Sequence, residues 1–162
     1  MDIVNTLPSE DKKEPWGFEG LLLLLGLGVL TSPLRAINNI WATYSPMFSD
    51  GTMEDIMVNA SLGFKSIIIT EIIVNIAFLI LSVYLIKLFF KKKAIFPKWY
   101  LILAASSLGF LLVDTLVLSL MFPNLEVMTT DIIKATASGA IALFLWSPYL
   151  YKSERSKNTF IQ

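Results

Sequence analysis

Four stretches of the chain are apolar over about the length of a membrane crossing, and polar segments separate them. They cover approximately residues 17–40, 66–88, 99–121 and 130–151. A helix needs about 20 predominantly apolar residues to cross a hydrocarbon core of about 30 Å. The pattern predicts an all-α fold, an integral membrane four-helix bundle. The first span is interrupted by Thr31-Ser32-Pro33, which predicts a kink. Proline removes a backbone donor, and neighbouring hydroxyls can satisfy the freed carbonyl. The longest connection follows, from Ala42 to Phe64. Within it Ser49-Asp50-Gly51 reads as a turn, and Thr52 with Asp55 resembles a capping box. A short extracytoplasmic helix near Met53 to Leu62 is expected there, lying on the membrane surface through Ile56, Met57, Ala60 and Phe64.

Aromatic residues mark the ends of the spans, as interfacial anchors do. Trp16 and Trp41 flank the first, Trp99 opens the third, and Trp146 and Tyr149 close the fourth. Gly20, Gly26 and Gly28 on the first span, and the pair Ala105 and Gly109 on the third, offer places for close helix approach. Outside the spans, residues 1–16 form a polar N-terminal tail and residues 152–162 a basic C-terminal tail.

Composition sharpens this picture mainly by exclusion. Of 162 residues, 55% are hydrophobic and 16% charged, too apolar for an ordinary soluble domain. Cysteine and histidine are absent, which removes thiol chemistry, Cys/His metal sites and every histidine-based catalytic arrangement. No cofactor is expected. The net charge of zero gives no case for nucleic acid. The charges are unevenly placed, however. Lys91, Lys92, Lys93, Lys98, Lys152, Arg155 and Lys157 collect with the two tails, whereas Asp50, Glu54, Asp55 and Glu126 occupy the other loops. The positive-inside rule then puts both termini in the cytoplasm.

Some charges fall within the spans themselves. Glu71 and Asn75 lie in the second span, Arg35 follows the break in the first, Asp114 lies in the third, and Lys134 starts the fourth. At about 1.5 Å of rise per residue, Arg35 and Glu71 come out roughly 25 Å from the cytoplasmic interface, Lys134 roughly 24 Å and Asp114 roughly 22 Å. Ionisable groups at depth usually face the bundle interior or a cavity. A shared network of Arg35, Glu71, Asn75, Asp114 and Lys134 is therefore expected, either holding the helices in register or binding a ligand. The competing reading sends Arg35 to the interface and pairs Lys134 with Asp131, three residues before it. Lys91, Lys92, Lys93, Lys152, Arg155 and Lys157 are candidate contacts for anionic lipid or a partner.

Several motifs taken together resemble one known family. They are Glu19-Gly20-Leu21-Leu22-Leu23, Thr31-Ser32-Pro33-Leu34-Arg35, Phe48-Ser49-Asp50-Gly51-Thr52, Glu71 with Asn75, Phe96-Pro97-Lys98 and Asp114-Thr115. The ending runs from Trp146-Ser147-Pro148-Tyr149 through Ser153 and Arg155 to Thr159-Phe160. These are similar to the bacterial four-span membrane proteins of domain of unknown function 2569. Family members often open the first span with Gly-Gly-Trp, where this chain has Glu19-Gly20-Leu21. The resemblance implies a bacterial cytoplasmic membrane and no particular activity.

The expected function is a non-enzymatic accessory or sensor protein that binds a ligand or a partner, in contact with the bilayer. A second membrane protein or another copy of the chain are both open as partners. The alternative is a small transporter or channel subunit using Arg35, Glu71, Asp114 and Lys134 as an ion, proton or solute site. A polar path running past Glu71 to the cytoplasm would favour transport. A cup closed below Asn75 would favour binding.

Overall fold

The computed structural model describes residues 20–124 and 128–161. Among them are six helices and no strand: α1 Leu21–Ser49, α2 Thr52–Asn59, α3 Leu62–Phe90, α4 Phe96–Met121, α5 Thr130–Lys152 and α6 Glu154–Thr159. Three of these, α1, α3 and α4, are long and apolar enough to cross a membrane. The most apolar window of α3 is 22% buried and that of α4 only 6%, so most of their apolar surface faces away from the protein. Bilayer lipid is the solvent that suits such a surface. α5 has 23 residues, about 34 Å of helix, but carries Asp131 and Lys134 in its first turns.

The first helix outruns the expected span. It continues through Pro33 and Pro46 to Ser49, so the connection to α3 shrinks to the segment holding α2. Local chemistry explains the passage through Pro33. The proline nitrogen cannot bond to the carbonyl of Val29, and the Ser32 hydroxyl donates to that oxygen instead at 2.8 Å. Thr31 donates to the carbonyl of Leu27 at 2.9 Å.

The start of α2 also differs from expectation. Thr52 is the first helical residue, not the cap. The cap is Gly51, whose φ of 80° lies in the left-handed region, and no side chain caps it. The Thr52 N–H instead donates to the Asp50 carboxylate at 2.9 Å. Glu54 and Asp55 then place negative charge at the positive end of the helix. Phe96-Pro97-Lys98, just before the expected third span, opens α4. A proline in the first helical positions loses no hydrogen bond, because those N–H groups have no intrahelical acceptor.

The helices pack in the order α1, α3, α4, α5. α2 lies on α1 and α6 lies on α5, while α1 and α5 make at most slight backbone contact. One end of the bundle carries Gly20, the 91–95 turn and α6, and is called the basic end below. Its core comprises Leu22 and Leu25 of α1, Leu85 and Phe89 of α3, Phe96 of α4, Leu150 of α5 and Phe160 just beyond α6. Phe96 is completely buried. Its ring stacks on Phe160 with centroids 4.6 Å apart and meets Phe89 edge-on at 5.3 Å. Gly26 lets α1 approach here, because a methyl group at that position would lie 2.7 Å from the Phe89 ring. At the opposite end a smaller cluster joins Tyr44, Met53 and Ile68. Phe64 and Phe122 tie α3 to α4 there, with centroids 5.3 Å apart. Ala105 and Gly109, expected as a packing face, are exposed on α4.

Candidate functional site

Glu71 and Asn75 of α3 lie beside Tyr44 of α1 and within electrostatic range of Asp114 on α4, in the half of the bundle away from the basic end. The side-chain amide of Asn75 donates to the backbone carbonyl of Glu71 at 3.0 Å and to the Tyr44 hydroxyl at 3.4 Å. The Glu71 carboxylate lies near the same hydroxyl, close enough for the two groups to influence each other. Asp114 reaches in from α4, near enough for its charge to act on both Tyr44 and Glu71. Together with Ser66, Thr70 and Phe110 it lines a pocket of about 210 Å³ between α3 and α4. Tyr44 is buried, whereas both carboxylates are half-buried. The site is thus a phenol, an amide and two acids drawn from three helices.

Arg35 and Lys134 do not join it. Among the described residues the ion pair within 4 Å is Lys134 with Asp131, at 3.8 Å on the exposed face of α5. The Arg35 guanidinium donates to the carbonyl of Gly28, seven residues back along α1, at 3.4 Å. Cα–Cβ bonds in a helix tilt toward its N-terminus, and long side chains follow them. α1 and α3 run antiparallel, so equal depth of their Cα atoms does not bring side chains together. Arg35 leans about two turns, roughly 10 Å, toward the basic end. Lys134 leans toward its own N-terminus at the other end. The charge-balanced group expected from depth alone resolves into an acidic cluster with both bases directed elsewhere.

Tyr44 is a member of this site that the sequence pattern did not single out. The available signal was its spacing with Ile40 and Met47, which continues the apolar face of α1 beyond the expected end of the span. Among the other expected anchors, Trp41 is 71% exposed. Trp99 meets Tyr84 edge-on at 6.2 Å, and Trp146 meets Tyr149 at 5.8 Å. Trp16 lies outside the described residues.

Below Asn75 the polar character ends. Ser82 is buried and its hydroxyl is taken by the Leu79 carbonyl of its own helix at 2.7 Å. Leu85 and Phe89 follow, within the aromatic core of the basic end. The C-terminal segment completes that closure. It was expected as a basic tail for lipid or a partner, and the structure folds it onto the bundle. Ser156 is fully buried and donates to the Leu150 carbonyl at 2.9 Å, and Thr159 donates to the Arg155 carbonyl at 2.8 Å. Arg155 in turn lies by Gly20, its Nη1 3.6 Å from where a Cβ would stand. Gly20 has a φ of 58°, which a larger residue adopts only with strain. Lys91, Lys93, Lys98, Lys152 and Lys157 are exposed around this end, and Lys92 takes a left-handed φ of 49° where α3 stops. The N–H of Lys93 bonds to the Leu88 carbonyl and that of Lys92 to the Phe89 carbonyl, a left-handed helix termination.

Long apolar helices joined by short polar connections define a helical membrane protein. The chain matches the family described as "Protein of unknown function (DUF2569)" over residues 15–161, and it belongs to that family. No curated protein and no solved structure matches it.

Proposed function

We propose that this chain is a four-span protein of a bacterial inner membrane, with α5 as the fourth span and both termini in the cytoplasm. It binds a ligand or partner and catalyses no reaction. The binding site is the acidic cup read from the polar group of Tyr44, Glu71, Asn75 and Asp114, in the half of the bundle that this topology turns to the outer face. One observation carries this reading: two carboxylates share a polar site to which, among the described residues, the chain supplies no cation. An acidic, half-open site of this kind suits a positively charged group, such as an organic ammonium or the basic side chain of a partner. Closure below Asn75 by Ser82, Leu85 and Phe89 supports binding over passage. The absence of histidine and cysteine throughout the chain supports a non-enzymatic role.

The test is a thermal-stability screen of the purified protein against organic ammonium compounds and lysine- or arginine-bearing peptides. A ligand present at a hundredfold excess over its Kd stabilises by about 2.7 kcal/mol. The expected result is at least one cation that raises the Tm of the native chain and fails to do so in the Glu71→Gln, Asp114→Asn double variant. Equal stabilisation of both proteins, or of neither across the whole panel, would overturn the reading.

A further inference from the structure

A second pocket lies at the basic end and owes nothing to the acidic cup. Its volume is about 250 Å³, and it opens between the first turn of α4 and helix α6. Lys98 stands on one side and Lys157 on the other, with Tyr151 beside them. Pro97, Leu150 and Phe160 also line it. Among the described residues neither lysine has a carboxylate within 4 Å. Glu154, the acid of α6, does not line the pocket. Two lysines from separate elements thus line one small cavity together with apolar residues.

We infer that this pocket holds the phosphate of an anionic membrane phospholipid. Two observations select that chemistry. The cavity is smaller than the roughly 300–1,000 Å³ of sites that enclose whole organic ligands, so it fits a headgroup whose acyl chains remain outside. Its lining residues Lys98 and Leu150 are the chain neighbours of Trp99 and Tyr149, aromatics of the kind that sit at the level of lipid phosphates. Lys98 and Lys157 donate to phosphate oxygens, and Tyr151, which also lines the pocket, carries a hydroxyl that supplies a third donor. An occupant held by both lysines links α6 to the start of α4, and so reinforces the Phe96–Phe160 stack behind it. This differs from general attraction of a basic surface, which would draw equally on Lys91 and Lys152.

Native mass spectrometry of the full chain, extracted in mild detergent with added phosphatidylglycerol or phosphatidylcholine, tests the inference. The expected result is one retained phosphatidylglycerol, preferred over phosphatidylcholine. In Lys98→Gln, Lys157→Gln that retention falls by at least about tenfold, as expected for loss of charge-assisted contacts. The charge-matched control Lys91→Gln, Lys152→Gln retains lipid as the native chain does. Because all four lysines are exposed, helicity by circular dichroism stays unchanged in both variants. Equal loss in the two pairs would replace the pocket with diffuse surface attraction, and no loss in either would remove it. Inorganic phosphate that raises the Tm as much as phosphatidylglycerol does would assign the pocket to a soluble anion and overturn the lipid assignment.

Discussion

The two ends of the bundle are built on opposite principles. At the basic end five elements converge on Phe89, Phe96 and Phe160, and the hydroxyls there are buried and bonded to nearby backbone. At the other end the meeting point of α1, α3 and α4 is a half-buried group of two acids, an amide and a phenol. Van der Waals packing must hold helices together where lipid removes the hydrophobic driving force. Concentrating that packing at one end leaves the opposite end able to carry half-buried acids. The comparison predicts a gradient, with substitutions at the basic end costing stability and those at the acidic end costing binding.

The steepest test is Phe96→Ala. Its ring is fully buried and touches both Phe89 and Phe160. Removing such a ring costs about 3–5 kcal/mol where the cavity cannot collapse. A reversible unfolding titration in mixed micelles should show that loss, and a cost below about 1 kcal/mol would mean that this end is not the anchor. Next comes Gly26→Ala, which drives a methyl group to 2.7 Å from the Phe89 ring. Overpacking of this kind costs about 1–3 kcal/mol. Gly28→Ala, with nothing within 4 Å of the added methyl, should instead be neutral or stabilising by about 0.5–1 kcal/mol through helix propensity. Equal effects at the two glycines would break the comparison on α1 itself.

These contrasts also show what the chain discloses before it is folded. The apolar runs coincide with helices α3, α4 and α5 to within a few residues, and in α3 and α4 the run is long and apolar enough to cross a bilayer. The freed carbonyl at Pro33 and its hydroxyl partner were legible too, since both are local. Side-chain direction was not. Depth along the axis put Arg35 level with Glu71, but antiparallel helices send long side chains toward opposite ends, and periodicity does not record which interface each residue reaches. The ending from Trp146 to Phe160 is legible in sequence only as a family motif and a basic tail. Its role as a wedge against Phe96 depends on a turn at Ser153 and on contacts across the chain, which local pattern does not contain.

Smaller effects sharpen the polar half. Tyr44→Phe removes the hydroxyl that accepts from Asn75 and retains the ring against Met53 and Ile68. A loss of about 0.5–1.5 kcal/mol is expected for one net hydrogen bond, well below the Phe96 cost. Any cation that stabilises the native chain should bind this variant more weakly, because the polar group beside Glu71 is then gone. Unchanged binding, read from the Tm shift, would separate Tyr44 from the site.

The smallest effect lies outside the spans, at the turn before α2. Asp50 is fully exposed, and hydrogen bonds from the Thr52 hydroxyl and then from its backbone N–H hold the carboxyl below its ordinary range. A group whose pKa is depressed in the folded chain contributes stability above its unfolded pKa and loses it as pH falls through the folded value. The turn should therefore be firm at neutral pH and loosen only under acid, below the ordinary carboxylate range. Amide hydrogen exchange at Thr52 and Met53, corrected for the intrinsic pH dependence of exchange, reads this directly. Protection should fall under acid in the native chain. In Asp50→Asn it should remain nearly flat, because an amide oxygen accepts the same bond at every pH. Acid loosening that persists in Asp50→Asn would move its origin to Glu54 or Asp55 in the first turn of α2. Acid loosening in the native chain that spread to the Phe96 core would mean that the two ends share their stability, against the gradient that the packing implies.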